Sequence, residues 1–270
     1  MTAPRILHYP GSKWTLAEWI ISHMPPHTTY LEPFFGSGAV FFNKSPSPLE
    51  TINDLDGDVV NLFRVIRDQP EELARLVKWT PYSREEYYAS YEQGGGDLER
   101  ARRFLVRCWM ARGGKTSDRT GWKHNVDFSK SPNTPMPKQW RNLPERILTV
   151  TERLRDVQLE QQPALQLIER YRLPEVLIYA DPPYILSTRS KRLYRKEMSN
   201  EDHLLLLAAL DAHPGPVLLS GYDHPIYHSR LAHWHRKERQ SQTDSGKQRT
   251  EVLWINPVAA ENVGRQLALF

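Results

Sequence analysis

The 270-residue sequence predicts an α/β fold with parallel central strands, and three observations lead to this prediction. The apolar run at 176–180 has the length and composition of a strand that is buried on both faces. A strand, a glycine turn, a helix and a second strand follow one another across 29–54. A further apolar run at 217–220 predicts another buried strand.

Composition places the chain among ordinary globular proteins, with 39% hydrophobic and 25% charged residues. No apolar run approaches the roughly 18 residues that a membrane span needs. Residues 1–10 lack the apolar stretch of a signal peptide. We therefore expect a cytoplasmic protein that has no membrane partner.

The single cysteine, Cys108, excludes an internal disulfide and a cysteine-cluster zinc site. It lies in the apolar segment 104–110, where a cysteine usually fills the core. Four histidines lie in the C-terminal quarter, at His224, His228, His233 and His235. No acidic or cysteine ligands join them at tight spacing, so we expect no metal site.

The N-terminal turn places Lys13 directly before an amphipathic helix pattern. A lysine there is either solvated or binds an anion beside the free N–H groups of the helix. A phosphate-binding P-loop would need a glycine five residues before Gly11, where Ile6 stands. The sequence therefore argues against nucleoside triphosphate binding.

A strand at 29–31 leads into a turn that contains Gly36 and Gly38, followed by a short helix through Asn43. Two glycines permit a tight turn and a close approach of a ligand to the backbone. Phe41 occupies the position at which a dinucleotide fingerprint needs a small residue, so the glycine pair alone is a weak indication.

The next strand, at 50–54, ends in Asp54, about 18 residues after Gly36. An acid at this point is placed to accept hydrogen bonds from ribose hydroxyls. Asp54 could instead cap the helix predicted at 58–67. The order of strand, glycine turn, helix, strand and acid favours nucleoside binding.

A helical region at 70–92, with a capping box from Ser83 to Glu86, ends at a run of three glycines. The segment 97–141 then carries a net charge of +7, from eleven Lys and Arg residues against four Asp and Glu residues. Since the whole chain is +4, the remainder is −3 and the basic character belongs to this segment.

The centre of that segment, at 112–125, mixes cations, glycines, short polar side chains and Trp122. This mixture suits contact with phosphates and stacking on bases, but it is also typical of a solvated loop. A helix is predicted across 144–156 and a strand near 157–159.

The tetrapeptide Asp181-Pro182-Pro183-Tyr184 follows the strand at 176–180, at the sheet edge where α/β proteins bind ligands. The prolines stiffen the turn and leave carbonyl oxygens free to accept hydrogen bonds. The Asp181 carboxylate and the Tyr184 ring could bind and activate the exocyclic amine of a planar base. An ordinary Pro-Pro turn is the alternative, and the tetrapeptide alone does not decide between them.

A second basic loop spans 189–196. Ser199 and Asp202 then predict a capped helix whose buried side includes Leu204–Leu207 and Leu210. A late strand is predicted at 251–255, and the polar stretch 240–250 is typical of a loop that joins two antiparallel strands.

These motifs together resemble the D12 group of DNA adenine-N6 methyltransferases, the Dam-like class that uses S-adenosylmethionine. The group's motifs occur here in order, at Tyr9–Lys13, at Glu32–Gly38, at Asn53-Asp54, at Asp181–Tyr184 and at Thr250–Asn256. The similarity covers most of the chain and leaves about 97–141 as the variable part. Tyr9 stands where the group commonly has tryptophan, a change that preserves aromatic stacking.

The resemblance implies a Rossmann-like methyltransferase sheet with helices on both faces and a small, mostly helical target-recognition insert. It implies that S-adenosyl-L-methionine is contacted by Tyr9, Lys13, Glu32, Phe34, Gly36, Gly38, Asp54 and Asp181. The implied catalytic residues are Asp181, Pro182, Pro183 and Tyr184. Asp181 and the Pro182 carbonyl would accept from N6 of an adenine that has flipped out of the duplex and stacks on Tyr184.

By the same resemblance, 1–96 and 142–270 form the methyltransferase domain and 97–141 the basic target-recognition insert. Contacts with double-stranded DNA are expected from Arg112, Lys115, Arg119, Trp122, Lys123, Arg189, Lys191 and Arg192. The insert is shorter than in several relatives, which puts the group's usual GATC target in doubt. We expect a site-specific DNA adenine methyltransferase, with a relaxed target as the alternative. We expect a monomer in a bacterial or phage-infected cell.

Two kinds of rival remain open. The first is methylation of another amine, because the resemblance implies that Ser-Pro-Pro-Tyr is commoner for cytosine and Asn-Pro-Pro-Tyr for glutamine and much RNA. Asp181 therefore favours DNA adenine, with RNA adenine as the alternative. The second is a non-catalytic DNA-binding protein on the same fold, against which the intact glycine turn and tetrapeptide argue.

Overall fold

The computed structural model describes residues 4–114, 118–126, 135–188, 193–242 and 248–261. The chain divides into two compact units. The sheet unit comprises Lys13–Leu55, Asp156–Arg192 and Lys196–Phe270. The helical unit comprises Met1–Ser12, Asp56–Arg155 and Leu193–Arg195.

Within the described residues, seven strands form one sheet in the sheet unit. They are β1 (Thr29–Glu32), β2 (Leu49–Asn53), β3 (Val157–Glu160), β4 (Val176–Ala180), β5 (Val217–Gly221), β6 (His235–Gln242) and β7 (Gln248–Ile255). Their order across the sheet is β3-β2-β1-β4-β5-β7-β6. The first five are parallel, whereas β7 runs antiparallel to both β5 and β6.

The α-helices in the described part of the chain fall into both units. The sheet unit contains α1 (Ala17–Ile21), α2 (Ala39–Asn43), α9 (Ala164–Arg170), α10 (Asn200–Asp211) and α11 (Pro225–Arg230). The helical unit contains α3 (Gly57–Asp68), α4 (Pro70–Trp79), α5 (Arg84–Ala89), α6 (Asp97–Met110), α7 (Met136–Arg141) and α8 (Leu143–Leu154).

The central strands are buried on both faces, as their apolar runs predict. Every residue of β1, β4 and β5 is buried. Since successive side chains of a strand point to opposite faces, helices and loops must cover both sides of the sheet here. Ile178 and Leu219 belong to one apolar cluster with Leu167 of α9 and Leu207 of α10.

The direction of strand addition reverses between β1 and β4. The chain builds outward from β1 through β2 to β3, and then returns to add β4 and β5 on the other side of β1. The carboxyl ends of β1 and β4 therefore flank the topological switch point, where open α/β sheets bind ligands. Residues 33–38 and 181–184 follow these two strands.

Helix α10 begins with the predicted capping box, in which Ser199 and Asp202 each bond to the other's backbone N–H. The prediction of its buried side was partly wrong. His203, Leu206, Leu207 and Leu210 are buried, whereas Leu205 is 53% exposed. Leucines in a row at four consecutive helical positions cannot all face one side, because successive residues are rotated by about 100°.

The helical unit has its own core, because its long helices are amphipathic. Helix α3 packs on α6 and α8, and α4 packs on α8. Trp109 of α6 is buried, and its indole N–H donates to the carbonyl oxygen of Ile6 at 2.8 Å. Cys108 is buried beside it, and burial raises the pKa of its thiol. The expected role of Cys108 as a core residue is confirmed.

The single helical region predicted at 70–92 is two helices, α4 and α5. The break lies at Thr80–Ser83, where Pro81 cannot continue a helix. Ser83 accepts from the N–H of Glu86 and so caps α5, which is half of the predicted capping box.

Two further boundaries bear on the predictions. Strand β6 ends at Gln242 and strand β7 begins at Gln248, so the predicted loop at 240–250 was too long at both ends. Residues 97–141 lie within the helical unit, which also includes Asp56–Gly96. The division of the chain into domains at 97 and 141 stays a prediction.

Candidate active site

An ion pair lies at the carboxyl end of β4. Lys13 Nζ is 3.0 Å from Asp181 Oδ1, and the two side chains are 5% and 18% exposed. Both belong to the sheet unit. The turn before α1 therefore brings Lys13 to the predicted catalytic tetrapeptide.

Burial acts on both partners of this pair. It raises the pKa of Asp181, and the ammonium group of Lys13 partly opposes that rise. Burial alone would lower the pKa of Lys13, but the charges of Asp181 and Glu251 reverse the effect, so the pKa of Lys13 is raised. Lys13 is therefore cationic at neutral pH, and its charge favours the ionised form of Asp181.

Tyr184 lies beside the pair. Its ring centroid is 4.7 Å from Lys13 Nζ, and its hydroxyl donates to Glu251 Oε2 at 2.8 Å. Tyr222 packs against it edge to face, with 4.3 Å between ring centroids. Tyr184 is 8% exposed, so the protein covers most of its surface.

The predicted glycine turn follows β1 and is bonded to the end of β2. Gly36 and Gly38 have φ of 51° and 66°, in the left-handed region that favours glycine. The N–H of Gly36 donates to Asp54 Oδ2 at 2.8 Å. The helix cap of α3 is Asp56, which accepts from the N–H of Asp58, so the alternative role of Asp54 as a cap is wrong.

The end of β2 also joins two loops at this edge of the sheet. Asn53 Nδ2 donates to the carbonyl of Pro33 at 2.8 Å, and Asn53 Oδ1 accepts from the N–H of Gln162 at 2.8 Å. The loops after β1 and β3 are thus held to β2 by one buried amide. Phe34 lies in the first of these loops and packs against the apolar cluster of the sheet.

Glu32, the last residue of β1, is 2% exposed. Tyr30 donates its hydroxyl to Glu32 Oε2 at 2.7 Å. Burial raises the pKa of Glu32 to about 8, against the effect of that hydrogen bond, and the charge of Asp181 adds to the rise. Glu32 is therefore largely protonated at neutral pH.

Tyr9 belongs to the helical unit. Its ring centroid lies 6.0 Å from that of Tyr194, whose hydroxyl donates to the carbonyl of Pro10 at 3.1 Å. The neighbouring Arg195 pairs with Asp58 at 2.8 Å. Residues 193–195 thus contact both the N-terminal turn and the start of α3 within this unit.

The described part of the basic segment forms an aromatic and cationic cluster. The Arg119 guanidinium lies 4.0 Å from the centroid of Tyr88, and Trp122 stacks on His124 with centroids 5.1 Å apart. Arg112 donates to the carbonyl of Trp122 at 3.2 Å. The backbone N–H of Lys123 donates to Met110. Four predicted DNA contacts lie outside the described residues, namely Lys115, Arg189, Lys191 and Arg192.

Residues 9–243 match the family model described as D12 class N6 adenine-specific DNA methyltransferase. The chain belongs to this family. The seven-stranded sheet is consistent with the Rossmann-like methyltransferase fold, so the predicted fold class is confirmed.

Similar proteins include bacterial and phage methyltransferases. Type II methyltransferase M1.LlaDCHI of Lactococcus lactis subsp. cremoris is 27% identical over 244 residues, which cover 80% of this chain and 82% of that protein. DNA adenine methylase of Salmonella typhi is 23% identical, with 91% of each chain covered. DNA N-6-adenine-methyltransferase of Escherichia phage P1 is 28% identical over 50% of this chain and 19% of that protein.

Glu251 and Tyr222 of this D12-class chain also belong to the candidate site, although neither was predicted as a site residue. Both contact Tyr184, and both lie at the carboxyl edge of β5. Glu251 lies in the motif Thr250–Asn256 of the resemblance, and that motif was the available indication. Its place in the site was missed because the antiparallel direction of β7 against β5 decides which end of β7 meets the site.

Two of the four C-terminal histidines of this methyltransferase chain each pair with a single carboxylate. His228 contacts Asp223, and His233 contacts Asp211 at 2.7 Å. The described residues contain no group of three or more His, Cys, Asp or Glu that could hold a metal ion. Across the same residues, no helix has both the length and the apolar character that crossing a membrane requires.

Proposed function

We propose that this D12-class protein transfers a methyl group from S-adenosylmethionine to N6 of adenine in double-stranded DNA. The observation that carries the proposal is the buried Lys13–Asp181 pair with the Tyr184 ring beside it, next to the sheet's switch point. Ligands of open α/β sheets bind at such points. A buried carboxylate and an aromatic ring are the groups that an exocyclic amine on a planar base requires.

The residues at the glycine turn fit S-adenosylmethionine, which when bound supplies an electrophilic methyl group on its sulfonium. Gly36 and Gly38 allow the tight, left-handed backbone of this turn. Asp54, held by the N–H of Gly36, is an acceptor for ribose hydroxyls. We assign further cofactor contacts to Phe34, Lys13 and Asp181, while Tyr9 remains a prediction from the resemblance.

Glu32 has a different proposed role from that of the other cofactor residues. Its burial and its hydrogen bond with Tyr30 leave little surface for a ligand. A protonated carboxyl is neutral and so does not repel the Asp181 carboxylate. We therefore propose that Glu32 supports the structure of the site beside the glycine turn.

Asp181 and the Pro182 carbonyl act on the amine of the substrate. The lone pair of an exocyclic amine is delocalised into the base, which makes the nitrogen a poor nucleophile. Acceptors on its two N–H bonds draw the nitrogen toward tetrahedral geometry and return the lone pair to it. Lys13 favours the ionised form of Asp181, the form that accepts best. Most of the acceleration then comes from holding the two reactants in line.

DNA must release the adenine from the duplex for this chemistry, at a cost of a few kcal/mol. The Tyr184 ring is the proposed stacking surface for the released base. We propose that the basic segment and the 189–196 loop hold the backbone, through Arg112, Lys115, Arg119, Trp122, Lys123, Arg189, Lys191 and Arg192. A short, glycine-rich insert favours a relaxed target sequence.

The proposal is tested by incubating the purified protein with S-adenosylmethionine and unmethylated genomic DNA. The DNA is digested to nucleosides for mass spectrometry, and a second sample is sequenced with single-molecule detection of modified adenines. We expect N6-methyl-2′-deoxyadenosine among the nucleosides, and Asp181→Ala serves as the inactive control. Methylation of one short motif would show a strict target, and methylation of most adenines would show a relaxed one.

Parallel incubation with RNA separates the alternatives. Methylation of RNA but not of DNA would overturn the proposed substrate. Methylation of neither, together with no binding of S-adenosylmethionine by calorimetry at millimolar ligand, would leave a non-catalytic DNA-binding protein.

A further inference from the structure

Glu251 reaches the candidate active site because of the direction of its strand. The parallel strands β4 and β5 end at this edge of the sheet, whereas the antiparallel strand β7 begins there. Gly221, the last residue of β5, pairs with Val252 in β7. Glu251 therefore lies at the level of the residues that follow β5, and its side chain is 9% exposed.

Glu251 makes a defined contact there. Tyr184 donates its hydroxyl to Glu251 Oε2 at 2.8 Å, and the bond is buried. Burial raises the pKa of Tyr184 well above its ordinary value, so its hydroxyl stays protonated and acts as the donor. The ring is thus held at its polar end by Glu251 and on its edge by Tyr222.

Glu251 also acts on the cation of the site. Its charge and that of Asp181 both favour protonated Lys13, which burial alone would disfavour. Lys13 lies 3.0 Å from Asp181 and 4.7 Å from the centroid of Tyr184. Asp181 thus contacts the cation directly, whereas Glu251 contacts the aromatic ring through its hydroxyl.

We propose that Glu251 is a positioning residue that orients the Tyr184 ring. This inference rests on the proposed methyl transfer. A tyrosine side chain has two rotatable bonds before the ring, and a hydrogen bond at its far end restrains both. Without Glu251 the ring stays in its pocket against Tyr222, but the base that stacks on it is held less accurately.

The expected effect is on the chemical step. A displacement of about 1 Å in a reacting geometry costs up to about 100-fold in rate, so we expect Glu251→Ala to lower the single-turnover rate by about 10-fold to 100-fold. The affinity for S-adenosylmethionine should stay within about twofold, because Glu251 contacts the ring and not the glycine turn. Glu251→Gln keeps an acceptor oxygen and should retain more activity than Glu251→Ala.

Tyr184→Phe removes the other partner of the hydrogen bond. If Glu251 acts through that bond, Tyr184→Phe and Glu251→Ala lower the rate because each removes the same hydrogen bond. The rate of the double variant should then be within about twofold of the rate of the slower single variant. Tyr179→Phe is the matched control, since the buried Tyr179 hydroxyl bonds to Ser220 Oγ at 3.0 Å on the same strand pair. It should leave the rate unchanged.

The experiment measures single-turnover methyl transfer for these variants at saturating cofactor and DNA, with thermal unfolding measured in parallel. Full activity of Glu251→Ala would overturn the inference while the proposed function stands. A double variant whose rate falls by the product of the two single-variant losses would do the same. Loss of activity that follows only the fall in thermal stability would also overturn it. A wild-type protein that methylates no nucleic acid would overturn the proposed function and the inference together.

Discussion

At the scale of single residues, the replacement of Asp181 should affect both activity and stability, and a double variant can distinguish the two effects. Asp181→Ala removes the proposed acceptor for the amine, and we expect methyl transfer to fall by about 100-fold or more. It also leaves Lys13 buried without its 3.0 Å partner. Breaking a buried pair costs about 3 kcal/mol of stability at the low end of the known range, which suits a carboxylate that is 18% exposed.

The second variant, Asp181→Ala with Lys13→Met, removes the buried charge as well. Its stability should recover toward that of the wild type, because the buried cation is removed together with its carboxylate partner. Its activity should stay lost. Chemical denaturation and a methyl-transfer assay on the single and double variants make the comparison. Recovery of activity together with stability would show that Asp181 only supports the fold.

Glu32 predicts a pH dependence of stability. Its pKa is about 8 in the folded protein and near 4.5 when unfolded. Between these values the folded state holds a proton that the unfolded state has lost, so this residue's contribution to stability falls as pH rises. Glu32→Gln should therefore flatten the decline in unfolding temperature between about pH 5 and pH 8. Wild-type and variant curves of the same slope across this range would contradict the raised pKa.

Among the residues of the candidate site, those beside a turn or a strand end could be predicted from the sequence, and those whose role depends on a contact with another element could not. Lys13, Asp54 and Asp181 are each near a turn or a strand end that the sequence reveals. Tyr30 and Glu251 act through hydrogen bonds to residues of other motifs. Such a bond depends on strand register and direction, which no local pattern specifies.

At the scale of elements, the glycine turn after β1 gives a sharp prediction. A Cβ on Gly38 would lie 2.5 Å from the Phe35 ring and 2.7 Å from the Phe42 ring, and its φ is +66°. Gly38→Ala should therefore lose about 1–3 kcal/mol from backbone strain alone. Because the turn is the proposed cofactor site, affinity for S-adenosylmethionine should fall as well.

Gly96→Ala is the control for that variant. Gly96 precedes α6 with φ of −71°, and a Cβ there meets nothing within 4 Å. Its stability should fall by no more than about 1 kcal/mol, because Gly96 is the N-cap residue of α6 and alanine is a weaker cap. Denaturation curves and calorimetric titration of both variants test the pair. Equal losses in the two variants would show that the turn after β1 is not specially constrained.

The elements themselves differed in how far the sequence predicted them. The strands β4 and β5 are continuous apolar runs, since burial on both faces needs no polar alternation. The capping box at Ser83 correctly indicated the start of α5, but the end of α4 before Pro81 was not predicted. The strand β6 is polar and mostly exposed, so composition alone favoured a loop over part of it.

At the scale of the whole molecule, the charge is unevenly distributed along the chain. Residues 97–141 carry +7, and the remainder carries −3. Many arginines of α6 are already used within the helical unit, as in the pairs of Arg102 with Glu99 and Glu86. The cations that follow α6 have fewer carboxylate partners among the described residues, so they are the better candidates for phosphate contact.

The last prediction concerns the salt dependence of DNA binding. Each phosphate contact that a protein makes contributes about −0.9 to the slope of log affinity against log salt on B-form DNA. The triple variant Arg112→Gln, Arg119→Gln, Lys123→Gln should therefore bind a short duplex more weakly and with a slope smaller in magnitude by up to about 3.

A matched triple variant, Arg155→Gln, Arg170→Gln, Arg172→Gln, removes the same charge from arginines that pair with carboxylates. It should keep the wild-type slope, because a general loss of charge shifts long-range attraction without removing phosphate contacts. Fluorescence anisotropy between about 50 and 200 mM salt distinguishes the two variants. Equal changes of slope in both would mean that the basic segment attracts DNA only through net charge, and that the residues which hold the phosphates lie elsewhere in the chain.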